Sequence, residues 1–231
     1  MYQYSILLDE AYKDKNCFHY HESFWYRGKN QRQRAIEERI KNNGIYRGFV
    51  ISMSEFKSNA QMSTVVKDLS GITKLLLSFQ PEERCFFELI EERSKLYFDV
   101  DVPPTVQITK ETVLNNIMKF LNNAFGIIPI KKHILTAHRS DKLSWHIIFP
   151  EYYITREDRK NFSDYILEYS IPFVDYRVYN KTQCFRMKGC CIRNRPETIL
   201  LSDSSLEDTL VTNILPNTKH LQIIPINQKR E

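Results

Sequence analysis

The stretch that decides the fold is Lys95-Leu96-Tyr97-Phe98-Asp99-Val100-Asp101, closed by Val102-Pro103-Pro104. β-Branched and aromatic residues alternate along it and a proline pair ends it, which is the pattern of a strand. Side chains on a strand alternate between faces. Leu96, Phe98 and Val100 therefore share one face, and Asp99 and Asp101 share the other. Two carboxylates at roughly 4–6 Å repel each other by on the order of 1–4 kcal/mol. A divalent cation between them removes that cost, and hard cations such as Mg²⁺ take oxygen ligands. Taken alone, an Asp-x-Asp is more often a solvated edge strand.

The wider composition narrows the class. With 231 residues the chain is long enough for one large domain or two small ones. Tyr and Phe are abundant (13 and 14) and Gly is scarce (6), which argues against a glycine-rich phosphate loop. A net charge of +5 tolerates a polyanionic partner without requiring one. Five cysteines (Cys17, Cys85, Cys184, Cys190, Cys191) form no CxxC pair, so free thiols are expected rather than a zinc site or a disulfide framework. Early charges at Asp9, Glu10, Lys13, Asp14 and Lys15 do not fit a signal peptide, and no apolar run approaches a membrane span. The expectation is an intracellular soluble protein.

Residues 1–30 read as an irregular, aromatic-rich start. A helix is predicted over Gln31–Asn43, with Ala35, Ile36 and Ile40 inward and Gly44 as its stop. The basic residues Arg27, Lys29, Arg32 and Arg34 lie among aromatics, a mix that can grip a nucleic-acid strand and is also that of a solvated face. Gly48–Met53 reads as a strand, and Ser54–Asp68 as a helix from the spacing of Met62, Val65, Val66 and Leu69. Cys85–Glu91 reads as a strand turning directly into the Asp99 strand as its antiparallel neighbour.

Downstream, Thr109 is a predicted N-cap for a helix with Val113, Leu114, Ile117, Met118, Leu121 and Phe125 as its apolar stripe and Gly126 as its stop. A hairpin follows, from Ile134–His138 through Arg139–Lys142 to Ser144–Phe149, ended by Pro150. Thr155-x-x-Asp158 is a capping box for a further helix with Phe162, Tyr165, Ile166 and Tyr169 inward. The last expected strand is Leu221–Ile226. Mixed strands and helices make the fold class α+β, with residues 1–80 as an N-terminal part and 81–231 as the part carrying the motifs, read as two parts of one compact domain.

Three further groups stand out. In Ser144-Trp145-His146, Ser144 and His146 point to one face and Trp145, Ile147 and Phe149 to the other. Asp175 sits in Phe173-Val174-Asp175-Tyr176-Arg177-Val178-Tyr179. Arg186, in Phe185-Arg186-Met187-Lys188, could clamp a phosphate with its planar fork, with Lys188 as an added point charge.

In this order, Asp99-x-Asp101, Ser144-x-His146 and Asp175 with Arg186 resemble the three-motif series of the archaeo-eukaryotic primase superfamily, closest to primase-polymerases and the primase domains of large DNA viruses. Cys85–Ile90 ahead of Lys95–Asp99 resembles the lead-in to the first motif, and Asp141–Phe149 resembles the viral second motif. The likeness covers roughly residues 85–215 and is faint over residues 1–80. Asp101 stands where the animal enzymes carry Glu, and Gln183 or Cys184 stands where they carry a basic residue. The C-terminal zinc module of some relatives and a helicase domain are missing from this sequence, so the resemblance implies either a helicase partner in trans or a chain that is part of a longer primase-helicase.

The resemblance implies an RRM-like catalytic sheet packed against a second α/β unit. It implies Asp99, Asp101 and Asp175 as ligands of two Mg²⁺ or Mn²⁺ ions, with His146 and Ser144 on the triphosphate of an NTP or dNTP. Lys142 and Arg186 would neutralise that triphosphate, with Lys188 and Arg139 as further cations. Single-stranded DNA would lie across Arg27, Lys29, Arg32 and Arg34. The implied activity is primer synthesis by nucleotidyl transfer. A metal-dependent nuclease and a catalytically weak nucleotide- and single-strand-binding replication accessory subunit remain as alternatives.

Overall fold

The computed structural model describes residues 17–20, 23–41, 48–54, 61–179 and 183–229. The chain divides into two units. The first is Met1–Leu89 with Gly189–Ile199, and the second is Ile90–Lys188 with Leu200–Glu231. The dividing point thus falls at Leu89, later than the 80/81 expected, and a short later segment belongs to the first unit. Both units mix helix with mainly antiparallel sheet, in keeping with the α+β class.

The first unit is built on strands β1 (Cys17–Tyr20), β2 (Ser23–Arg27), β3 (Phe49–Ser54), β4 (Gln61–Val66) and β5 (Phe86–Ile90). They pair antiparallel in the order β1-β2-β4-β3-β5. The aromatic start expected to be irregular therefore carries a strand pair. The helix predicted over Ser54–Asp68 is instead β4, with residues 55–60 outside the described set. Its run Thr64-Val65-Val66 is β-branched, and β4 has β2 on one side and β3 on the other, so sheet partners override the helical spacing.

Helix α1 (Gln31–Lys41) buries Gln31 and Ala35, but Ile40 is 58% exposed, so the expected stripe is shorter; Asn43 and Gly44 lie outside the described residues. Helix α2 (Leu69–Leu77) starts at Asp68, whose side chain accepts from Gly71 N. Trp25 stacks on Phe86 within the buried interior. Strand β5 pairs with β3 rather than turning back on the Asp99 strand, which corrects the expected hairpin.

In the second unit β6 (Arg93–Val102) pairs antiparallel with β8 (Leu143–Thr155), and β7 (His133–Thr136) lies on the other side of β8. Helix α3 (Lys110–Phe125) is capped by Thr109 and stopped by Gly126 in the left-handed region, as its sequence requires. Helix α4 (Arg156–Glu168) begins with the complete Thr155/Asp158 capping box. Phe98 packs its ring against Phe120 of α3 and Phe162 of α4, so these helices cover the apolar face of β6 and β8. Tyr169, expected inward, is 42% exposed.

Pro150 does not end β8. Leu96 faces Phe149 while Lys95 faces Tyr153, so Pro150–Tyr152 form an irregularity where a missing N–H costs no ladder bond. Beyond it, β8 gains a two-residue parallel partner, β10 (Lys219–His220), after β9 (Gln183–Arg186). The strand expected over Leu221–Ile226 does not form. Ile223 N donates instead to Asp158 Oδ1 at 2.8 Å, and His220 Nε2 lies 2.7 Å from Asp158 Oδ2. Among the described residues no helix is long and apolar enough to cross a membrane.

Candidate functional site

Cross-strand register builds the site. Asp99 stands opposite His146 and Asp101 opposite Ser144, so all four project from the same face of the sheet. Along β6 the intervening Phe98 and Val100 are fully buried on the other face. The third acidic residue joins from a short irregular segment rather than a strand. Val174 bridges to Val100, Asp175 N donates to the carbonyl of Asp99 at 2.8 Å, and Asp101 N donates to that of Phe173 at 2.9 Å. Phe173 adopts a φ of 66° to make that approach. Asp175 is thus fixed against the free edge of β6.

The aromatic residues behind the carboxylates lock this arrangement. The Tyr97 hydroxyl donates to the Val178 carbonyl at 2.6 Å, and the Tyr179 hydroxyl donates to the carbonyl of Tyr97. His146 is buried and stacks on Phe185, with ring centroids 4.2 Å apart.

Each carboxylate is neutralised differently. Burial pushes the Asp99 carboxyl up to about 7, aided by the charges of Asp101 and Asp175. Its Oδ1 is buried and accepts no hydrogen bond among the described residues. Asp101 accepts from Ser144 Oγ at 3.0 Å and forms an ion pair with Lys142 Nζ. Asp175 is held by Arg177, whose Nε and Nη2 donate to its two oxygens at 2.8 and 2.9 Å and whose backbone N adds a bond at 3.0 Å. Those bonds keep the Asp175 carboxyl below its ordinary value. Burial, with Arg186 and Lys142, holds His146 well below its ordinary value, so its ring is neutral at pH 7. His146 Nε2 lies 3.7 Å from Asp99 Oδ1, beyond hydrogen-bond range, and Nδ1 has no hydrogen-bond partner among the described residues.

Among the described residues no three His, Cys, Asp or Glu side chains are gathered closely enough to hold a metal ion as they stand. The carboxylates of Asp101 and Asp175 are engaged by Lys142 and Arg177 instead. The donor chemistry still suits a hard divalent cation: three carboxylates arise from neighbouring backbone positions, and Asp99 Oδ1 is buried without a hydrogen-bond partner among the described residues. Such a cation would compete with the two side-chain cations and with protonation of Asp99.

The remaining expected residues are divided. Arg186 is near enough to act on both Asp99 and His146. Lys188 donates to the Ser204 carbonyl, and Arg139 is paired with Asp141 within its own turn, 2.9 Å from Nε to Oδ1. Arg27, Lys29, Arg32 and Arg34 belong to the other unit; Arg34 lies over the Tyr26 ring and Arg32 donates to Gln61. The residue that sequence reasoning missed is Arg177. Its i+2 position after Asp175 within a tight turn was the available signal. No family model matches this chain, and no curated protein matches it.

Proposed function

We propose that the second unit is a primase or primase-polymerase catalytic domain with an RRM-like sheet, making or extending primers on single-stranded DNA by nucleotidyl transfer. One observation carries the reading: Asp99, Asp101, Ser144 and His146 share a sheet face with Asp175 bonded to the backbone of Asp99. Residues from three distant stretches, singled out as one motif series, meet in one place.

Asp99, Asp101 and Asp175 would hold divalent cations. When bound, these ions activate the attacking 3′-hydroxyl and neutralise charge developing on the pyrophosphate leaving group. The chain's own residues supply the rest. Neutral His146, fixed by Phe185, presents Nε2 as a hydrogen-bonding group toward the phosphates. Ser144 orients Asp101 by donating to Oδ1. Lys142 and Arg186 set a positive potential where the triphosphate accumulates negative charge.

The test is primer synthesis on an unprimed single-stranded template, with NTPs and dNTPs supplied separately and Mg²⁺ and Mn²⁺ compared. Metal-dependent products that vanish in Asp99→Ala/Asp101→Ala support the proposal; undiminished products in that variant overturn the assignment of the metal site. Degradation of the template without incorporation favours the nuclease alternative.

The accessory-subunit reading has one observation in its favour, the neutralisation of Asp101 and Asp175 by Lys142 and Arg177. Mn²⁺-dependent nucleotide binding without turnover would select it.

A further inference from the structure

A cleft of about 660 Å³ runs along the outer edge of β7, away from the carboxylates. Lys110, at the first position of α3, and Lys131 and Lys132, leading into β7, line it. Residues 201–204 form the opposite wall, where Leu201 pairs with Thr136 through two backbone bonds. The walls are fastened. His133 Nδ1 and Ser204 Oγ lie 2.8 Å apart, Lys188 Nζ donates to the Ser204 carbonyl, and Glu151 Oε2 accepts from Ile130 N and Lys131 N at 2.6 and 2.8 Å.

The lining carries three lysines against Asp203, and with Glu151 fastening Ile130 and Lys131 from behind, the walls still keep a positive excess of one. None of the three ammonium groups has an ion-pair partner among the described residues. Ile130 and Leu201 stand beside them 83% and 63% exposed. Ammonium groups bind phosphates, and exposed apolar side chains offer contact to base faces. The volume lies in the range of organic-ligand sites and exceeds the needs of a single small anion. β7 lies two strands from β6, roughly 10 Å across the sheet. A strand held at this edge is within a few nucleotides of Asp99.

We propose that this cleft binds the phosphodiester backbone of a single nucleic-acid strand, Lys110, Lys131 and Lys132 taking its phosphates. That the strand is the template or product of the neighbouring carboxylate site rests on the function proposed above; the cationic cleft does not.

The experiment measures binding of a fluorescent oligothymidylate by anisotropy, in EDTA, across a KCl series. Parent protein is compared with Lys131→Ala/Lys132→Ala and with Lys110→Ala. The double variant is expected to bind roughly tenfold more weakly at moderate salt, with a log–log salt slope shallower by about 1.4; the single variant is expected to lose about 0.7 of slope. Melting temperatures are expected to match. Parental affinity and slope in both variants would overturn the proposal, as would binding of anionic phospholipid vesicles by a protein that ignores the oligonucleotide. Primer synthesis by the same proteins separates the two readings. Products with unaltered strand affinity in the variants remove the cleft and keep the polymerase. Lost strand affinity in a protein that never incorporates nucleotide does the reverse.

Discussion

Asp99 and His146 face each other across β6 and β8 with Oδ1 and Nε2 3.7 Å apart, yet at neutral pH they are not an ion pair. Burial raises the carboxyl and lowers the imidazole, so both lean toward their uncharged forms.

The raised Asp99 carboxyl makes stability depend on pH. An unfolded Asp ionises near its ordinary 3.8, while folded Asp99 keeps its proton to about 7. Its contribution is fully favourable below the lower value and is lost as pH rises through the upper one. Asp99→Asn, which carries no charge, is expected to be more stable than the parent at pH 8 in EDTA by about 1–4 kcal/mol, with the difference closing near pH 4. Urea denaturation at both pH values measures it. A variant that is less stable than the parent at pH 8 contradicts the expectation.

Arg177 competes with any cation for Asp175. Arg177→Ala is expected to bind Mn²⁺ severalfold more tightly than the parent, while Arg177→Lys falls between them because it lacks the fork that engages both oxygens. Calorimetric titration with Mn²⁺ reads this directly. Lys142→Ala is expected to tighten Mn²⁺ in the same assay but to raise the nucleotide KM, since the same ammonium group neutralises the triphosphate in the proposed reaction.

Asp158 ties the start of α4 to the C-terminal segment, accepting bonds from Thr155 N and Oγ1, from His220 and from Ile223 N. These bonds hold its carboxyl below the ordinary value. Their stabilisation is present above the unfolded value and is lost as pH falls through the folded one. Asp158→Ala is expected to cost about 2–3 kcal/mol at pH 7, with the cost shrinking as pH falls below the ordinary carboxylate value. Chemical denaturation across that range checks both parts.

Two helix glycines separate strain from crowding. At Gly126 an added Cβ meets nothing within 4 Å, but φ is +66°, so Gly126→Ala is expected to cost about 1 kcal/mol through the backbone alone. At Gly71 the backbone is ordinary, but a Cβ would stand 2.7 Å from Val66 Cγ1, and Gly71→Ala is expected to cost about 1–3 kcal/mol. Thermal melts of both variants distinguish these costs.

How far the residues alone disclosed this arrangement depended on how local the deciding interaction was. The alternation around Asp99 and around His146 revealed which side chains share a face, because the strand period is a property of the backbone itself. Thr109, Gly126 and the Thr155/Asp158 box were equally readable, since a cap is settled within four residues. The strand at Gln61–Val66 was not, because its partners lie far along the chain. Pro150 misled for the same reason: an irregularity opposite Lys95 and Leu96 accommodates it. Asp175 could be named as acidic, but its capture by Arg177 rests on a turn geometry that composition does not express.

The route of the chain carries one last consequence. It passes from the first unit to the second, back again for Gly189–Ile199, and returns to the second for its final stretch. That detour supplies Cys191, whose N donates to the Arg84 carbonyl at 2.9 Å and whose thiol lies 3.6 Å from that of Cys85. A gene divided at Leu89 would therefore part the first unit from one of its own pieces. The leading polypeptide would lack the piece that closes over Cys85, and the trailing one would carry that piece with nothing to dock on.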